Sequence, residues 1–544
     1  MVYLEYLAMA TNHRKVMGTT PGFSDPSRST TFRYCPTFFF AMHLPTLSLV
    51  LAGTAFATKN STRPYSTWMA NSFRSKNQTI DNHYVSAVIH EGYAKAAMAQ
   101  NDTELASFAS GEVSSIVSAD GTLQGWNSTF YTLDDIRIGN NLLHVWNSEG
   151  RKDEKYVIAA KGLREQLDRW PRTPEGGFWH RAPTYENQMW LDGLYMADTF
   201  YATYTSYFEP DNTTAWNDIE LQFDQIEEHC RNKTSNLLKH GFSSDKSTVW
   251  ADPVTGASPY VWDRALGWYF VALVEVLEVW PKTHAGYSKL LNYYTTLACG
   301  IKNVQDTSGG WWLLMDEQLA GLAGNYIESS ATALFTYSYL KGVRLGLLEK
   351  AYQDTAVKAW DLLLDEFIQY EKNGTLSFTG TVTVGSLKGD ASYEYYTTVP
   401  LLVNDGKGAG PFMYAASEIE LAGLDISRQP QPTMSLVSSA ASPSATNPSC
   451  STADFTQFPS KDVFCAVGSV AGIFCSGNNT ARATGKPSGS GVASKTGASA
   501  TKTGANSPAK TGAASALSAP EGVSKAGLGM LAMLVVSAFA GALL

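Results

Sequence analysis

The side chains best suited to chemistry lie between Gly176 and Phe200, in GGFWHRAPTYENQMWLDGLYMADTF, where aromatic rings, His180, Arg181 and one central carboxylate, Asp192, are concentrated. Sugars present apolar faces that stack on rings and hydroxyls that need partners, so this mixture suits a carbohydrate site. Asp192 is pulled two ways. A helix N-terminus favours its charged form, whereas desolvation by Trp190, Tyr195 and Met196, or a second carboxylate nearby, favours the neutral form. An acid catalyst near neutral pH needs the second influence to prevail. The plainer alternative is an ordinary polar residue at a helix start.

The elements that must hold these residues read as a loop turning into a helix. Gly176 and Gly177 interrupt what precedes them, Pro183 disfavours helix just before it, and Asn187 is an acceptable N-cap for a run starting at Gln188. Met189, Leu191, Leu194, Tyr195, Ala197, Phe200 and Tyr201 then place apolar side chains on more than one face, so the helix is expected to be enclosed.

Further candidates fall between predicted helices. Asp134 and Asp135, in TLDDIRIG, open one helix, where acids also serve as dipole partners or caps. His240 stands in KHGFSSD, and a lone loop histidine is commonly structural. Arg264 and Trp268, in SPYVWDRALGW, are four apart and share a helix face, so a guanidinium beside a ring could grip a carboxylate and stack the sugar that bears it. Pairing of Arg264 with Asp263 or Asp192 would instead only hold the fold. No phosphate loop, nucleotide fingerprint or zinc spacing occurs.

Apolar residues recur at helical spacing in stretch after stretch: 65–73, 84–98, 133–146, 156–167, 189–208, 216–238, 262–280, 287–304, 327–345, 356–370 and 412–424. Strand-like alternation is scarce, with 375–384 the best candidate. The pattern predicts one all-α domain over 58–425. Its 12% aromatic content is compatible with sugar binding, and a net charge of −9 argues against a nucleic-acid partner. Binding an acidic sugar would require the few basic residues to gather at the site.

The two ends carry processing signals. Met42 opens MHLPTLSLVLAGTAFA, an apolar run too short to span a bilayer, closing in Ala55-Phe56-Ala57, so residues 1–57 read as an upstream extension and a secretory signal starting at Met42. Sequons at Asn60, Asn77, Asn101, Asn127, Asn212, Asn232, Asn373 and Asn478 agree with secretion. Residues 426–525 are rich in Ser, Thr, Ala and Pro and predict a disordered stalk. The uncharged tail 526–544 fits a glycolipid anchor signal, the alternative being a transmembrane helix. Of six cysteines, none shows metal spacing and no pairing follows.

Taken in order, LDDIRIG, PRTPEGGFWH, NQMWLDGLYMADTF, KHGFSSDKSTVWADPVTGASPYVWDRALGWY, NYIESSATALFTYSYLKGVRLG, SLKGDASYEYY and GKGAGPFMYAASEIE resemble the unsaturated rhamnogalacturonyl hydrolases of glycoside hydrolase family 105. The resemblance implies an (α/α)6 barrel and substrates that are pectin fragments left by polysaccharide lyases, bearing a 4,5-unsaturated galacturonic acid at the non-reducing end. It implies that Asp192 protonates C4 and then, as a carboxylate, activates the water that adds at C5, with Asp135 as the second acid, and that no metal or organic cofactor is needed. It makes His180, Arg181, His240 and Arg264 candidates for the uronate carboxylate and hydroxyls, and Trp190 and Trp268 candidates for stacking. Many relatives read RGNGW where this chain has Arg264-Ala265-Leu266-Gly267-Trp268. Two rival readings are an inverting glycosidase, with Asp135 and Asp192 about 6.5–9.5 Å apart, and a wall-anchored carbohydrate-binding protein without turnover.

Overall fold

The computed structural model describes residues 63–76 and 81–424. The secretory signal, the stalk, the anchor signal and the sequons at Asn60, Asn77 and Asn478 lie outside the described residues. The other five sequons stand at the surface, in loops or at helix ends.

Among the described residues the chain alternates outer and inner helices around a closed ring, an (α/α)6 barrel. The outer helices are α1 (Tyr65–Arg74), α3 (Thr103–Ser115), α5 (Lys155–Asp168), α7 (Thr213–Cys230), α9 (Gly286–Asn303) and α11 (Tyr352–Leu362). The inner helices are α2 (Tyr84–Gln100), α4 (Ile138–Ser148), α6, α8 (Asp263–Val279), α10 (Ser329–Arg344) and, after the short α12 (Tyr393–Thr398), α13 (Gly406–Leu421). Helix α6 starts as Leu191–Gly193, widens into a π turn at Leu194–Asp198 and continues through Thr199–Phe208. Each inner helix packs on the next, α2 on α4, α4 on α6, α6 on α8, α8 on α10, α10 on α13, and α13 closes the ring against α2.

The split follows from composition. A helix that is apolar on all sides must be surrounded by protein; α8, DRALGWYFVALVEVLEV, has no exposed face over most of its length, and α10 is similar. The outer helices bury one stripe, as α3 does with Leu105, Ala109 and Val113. That stripe is narrow and set among small polar residues, which is why helical spacing alone did not predict α3.

Four two-stranded ladders decorate the connections. β1 (Tyr131–Thr132) pairs with β2 (Arg181–Ala182), and β3 (Gln188–Trp190) with β4 (Gly241–Ser243). β5 (Ile368–Tyr370) pairs with β6 (Leu376–Phe378), and β7 (Thr381–Val382) with β8 (Leu401–Leu402). Three expectations need correction here. Gln188–Trp190 is strand, because Asn187 adopts a left-handed φ of 54° and hands the chain to β4, so the helix begins at Leu191. The predicted helix 216–238 stops at Cys230, where Arg231 bridges Leu238 around a left-handed Asn236. The predicted 356–370 helix ends in a π turn at Leu363–Phe367 and passes into β5.

Candidate active site

All six inner helices start at the same end of the barrel, and the residues that open them converge there. Tyr84 opens α2, and its hydroxyl feels the charges of Asp134, Arg264, Asp192 and Asp405, which belong to four other connections; burial first, then these carboxylates, push the phenol above its ordinary value. Asp134 and Asp135 sit in a single 3-10 turn, Leu133–Ile136, ahead of α4. Asp192 occupies the first turn of α6.

The β3–β4 ladder brings the second histidine in. Trp190 lies opposite Gly241, and the Leu191 amide donates to the His240 carbonyl at 3.0 Å. The fully buried His240 ring is thereby set with Nε2 3.3 Å from Asp192 Oδ2, and neither of these buried atoms has another hydrogen-bond partner. His240 Nδ1 is 2.7 Å from the Tyr396 hydroxyl of α12. Trp262 and Trp190 wall the imidazole, at centroid distances of 4.7 and 5.5 Å.

His180 lies on the other side of Trp190. Its ring stacks on the indole at 4.3 Å and 12°, and Tyr185 covers the indole at 4.4 Å. His180 Nδ1 is buried without a partner. Arg181, about one-third exposed, reaches Asp134 at 2.6 Å and donates from Nε to the Thr132 hydroxyl at 3.1 Å. The mouth thus has aromatic walls and unsatisfied imidazole and carboxylate atoms.

The two acids differ in charge. Burial pushes Asp192 up, but His240, then His180 and the α6 backbone outweigh it, so its pKa lies below the ordinary carboxylate value. Burial and the repulsion of Asp134, only partly offset by Arg181, push Asp135 up to about 7. Of the two influences weighed on Asp192, the one favouring the charged form therefore prevails in the free protein, while Asp135 is the carboxyl whose pKa is raised. Burial lowers His180, which stays neutral.

The structure places Arg264 and Trp268 in the barrel wall. The Arg264 guanidinium donates to the Val382 carbonyl at 2.6 Å and the Thr383 carbonyl at 3.1 Å, with Glu328 at 3.8 Å, so its fork is spent on anchoring β7. Trp268 is fully buried and stacks on Tyr195 at 4.5 Å, and Arg137 caps the other face of Tyr195 at 3.8 Å. Arg264 thus holds the fold, through β7 and Glu328 rather than the pairing with Asp263 or Asp192 considered from the sequence, and Trp268, expected to stack sugar, has its ring face covered by Tyr195.

Sequence reasoning passed over Tyr84, Tyr185, Trp262, Tyr396 and Lys407. Lys407, at the start of α13, is largely buried against Asp405 at 2.8 Å, and Arg264 and Glu328 also act on it. Cations do gather at the mouth, but Arg181 and Lys407 each carry their own carboxylate partner. Tyr396 and Lys407 lie inside blocks already singled out, SLKGDASYEYY and GKGAGPFMYAASEIE, yet nothing local marked those two residues. Among the described residues no group of three or more His, Cys, Asp or Glu is placed to hold a metal ion.

Comparison with known proteins agrees with this geometry. The model of Glycosyl Hydrolase Family 88 matches residues 60–422. A solved family 105 glycoside hydrolase from C. acetobutylicum is 35% identical and superposes with a TM-score of 0.63 over 66% of this chain and 100% of its own. The 24.9 kDa protein in the picA locus of Rhizobium radiobacter is 38% identical over 34% of this chain and 81% of its own length. Unsaturated rhamnogalacturonyl hydrolase YesR of Bacillus subtilis is 24% identical over 51% of this chain and 74% of its own.

Proposed function

Because the chain belongs to the glycoside hydrolases of families 88 and 105, of the unsaturated rhamnogalacturonyl hydrolase type, we propose that it removes an unsaturated galacturonic acid from the non-reducing end of lyase-cut rhamnogalacturonan. The observation that carries the reading is Asp192 in the first turn of α6, its Oδ2 3.3 Å from His240 Nε2, in a mouth walled by Trp190, Tyr185 and Trp262. Similarity to the unsaturated rhamnogalacturonyl hydrolase of Bacillus subtilis supports the choice of substrate.

Water adds across C4=C5. Asp192 delivers a proton to C4 and then, as a carboxylate, takes one from the water whose oxygen bonds to C5. The two transfers are sequential, so one residue serves both. The C5 hemiketal opens to a ketone, the ring oxygen leaves on C1 as a hydroxyl, and collapse of that hemiacetal frees the remaining saccharide. Asp192 is ionised in the free enzyme, and the arriving uronate supplies the like charge that raises its pKa in a dry mouth. Asp135 is the second carboxyl of this reading, its pKa raised in the turn ahead of α4. His180 and Arg181 offer donors to the uronate, and Trp190 walls the sugar; His240, expected to join them, is instead turned to Asp192 and Tyr396. The sequence signals at the two ends support secretion and attachment to the cell surface through a C-terminal lipid.

The test is to incubate the full chain with lyase-digested rhamnogalacturonan and, separately, lyase-digested glycosaminoglycan while following the absorbance of the unsaturated uronate. Loss of absorbance with the first supports the proposal. Loss only with the second reassigns the substrate. Cleavage of saturated oligosaccharides with no absorbance change would establish the inverting glycosidase instead.

A further inference from the structure

We propose that Tyr396 is a positioning residue that sets the tautomer of His240, so that the imidazole presents an N–H at Nε2 to Asp192; the proposal rests on Asp192 being the proton-transferring carboxylate. The geometry leaves His240 two neighbours at its nitrogens: the Tyr396 hydroxyl 2.7 Å from Nδ1 and Asp192 Oδ2 3.3 Å from Nε2. A neutral imidazole carries one N–H and one lone pair. With the proton on Nδ1, the Nε2 lone pair would confront an anionic oxygen inside a buried pocket. With the proton on Nε2, the ring donates toward the carboxylate and its Nδ1 accepts from the phenol. Tyr396 can act as that donor because its phenol remains protonated, burial holding its pKa far above the ordinary value.

The fold holds the phenol firmly. Tyr396 is almost fully buried, lies 6.1 Å from Trp262 and meets Tyr260 edge-on at 6.5 Å. The Ser392 hydroxyl caps α12 through the Tyr395 amide, and the Tyr396 amide donates to the Ser392 carbonyl. Trp250 ties the preceding loop by donating to the Leu387 carbonyl at 2.8 Å. Helix α12 is thus a short, buttressed insertion between the last outer and inner helices, and it delivers this hydroxyl to His240.

The experiment compares the full chain with Tyr396→Phe, which keeps the ring and deletes the hydroxyl. Two readouts are taken: steady-state kinetics on lyase-digested rhamnogalacturonan, and two-bond nitrogen–proton spectra of histidine-labelled, ligand-free protein, with His240 identified by its absence in His240→Gln. The expected result is a neutral, Nε2-protonated His240 in the native protein and loss of that preference in the variant. In the same variant kcat should drop roughly 10- to 100-fold, with KM changed less than about threefold, the scale expected when an outer partner no longer orients an imidazole. A native His240 protonated at Nδ1 overturns the proposal whether or not the variant folds. An unchanged tautomer in the variant also overturns it, even if kcat, KM and thermal midpoint fall together, since Tyr396 would then be only structural. The spectra need no substrate, so absence of turnover in the native protein would count against the proposed activity and leave the tautomer result standing.

Discussion

Trp190 and Gly241 face each other across the β3–β4 ladder so closely that a Cβ on Gly241 would sit 3.0 Å from the Trp190 Cα and 2.6 Å from the Met189 carbonyl oxygen. Asp192 and His240 follow and precede this pair, so their separation is set by backbone contact. The obstacle to a side chain here is backbone, which cannot swing aside as a flexible side chain can.

Gly241→Ala should therefore damage both stability and turnover. Forcing a methyl into a packed interior costs about 1–3 kcal/mol, and relief requires the two strands to separate. Chemical denaturation should show a lower midpoint, and turnover of the unsaturated uronate should fall by more than the loss of folded protein explains. Unchanged kinetics would mean that the ladder does not set the Asp192 to His240 distance.

Asp192→Asn should lower kcat by about 10²–10⁴-fold, the range for loss of a positioned proton-transfer group. The amide keeps the shape and can still pair with His240, so calorimetry should register retained oligosaccharide binding. Activity near the native level would remove Asp192 from the mechanism.

The acid ahead of α4 makes a prediction about pH. Asp135 titrates near 3.8 unperturbed and at about 7 in the fold, so the folded state binds the extra proton between these values. Below both there is no effect; as pH rises through the window, folding loses stability, and the full penalty applies above pH 7. Asp135→Asn removes the ionisation. Thermal midpoints should show the variant gaining on the native protein steadily from pH 4 to pH 8, and a constant difference would refute the raised pKa.

Beneath the mouth, Arg137 is fully buried, pairs with Glu91 and lies 3.5 Å from Glu275. Arg137→Met would leave Glu91 and Glu275 to share Lys95, with Lys341 3.8 Å from Glu275, and uncover the Tyr195 ring that supports Trp268. Removing one partner of a buried pair costs about 3–5 kcal/mol. Equilibrium unfolding should register that loss, whereas a variant as stable as the native protein would show that Lys95, 2.9 Å from Glu91 and 3.3 Å from Glu275, and Lys341 suffice to neutralise the site.

The all-α class, the boundaries of most helices and the place of Asp192 were legible in the chain because they depend on local quantities: apolar spacing, helix breakers and a dense run of rings around one carboxylate. The same run could not reveal its own short strand, since Gln188–Trp190 is extended by pairing with β4 and by the left-handed Asn187, while its apolar content suits a helix equally well. Arg264 and Trp268 share a helix face as expected, yet the sequence offered no sign that carbonyls of β7 and the ring of Tyr195 would occupy them first.

Sequence by itself determined which residues are chemically capable and that helices would carry them. Tertiary structure decided which way each acid's pKa moves, since that depends on burial and on groups brought in from other connections: His240 holds Asp192 below the ordinary carboxylate value, while burial, with the adjacent Asp134, raises Asp135. It also decided that Tyr396, remote in the chain, would stand 2.7 Å from His240. Closing a ring of helices gathers the starts of all six inner helices at one mouth, and no local pattern encodes which side chains meet there.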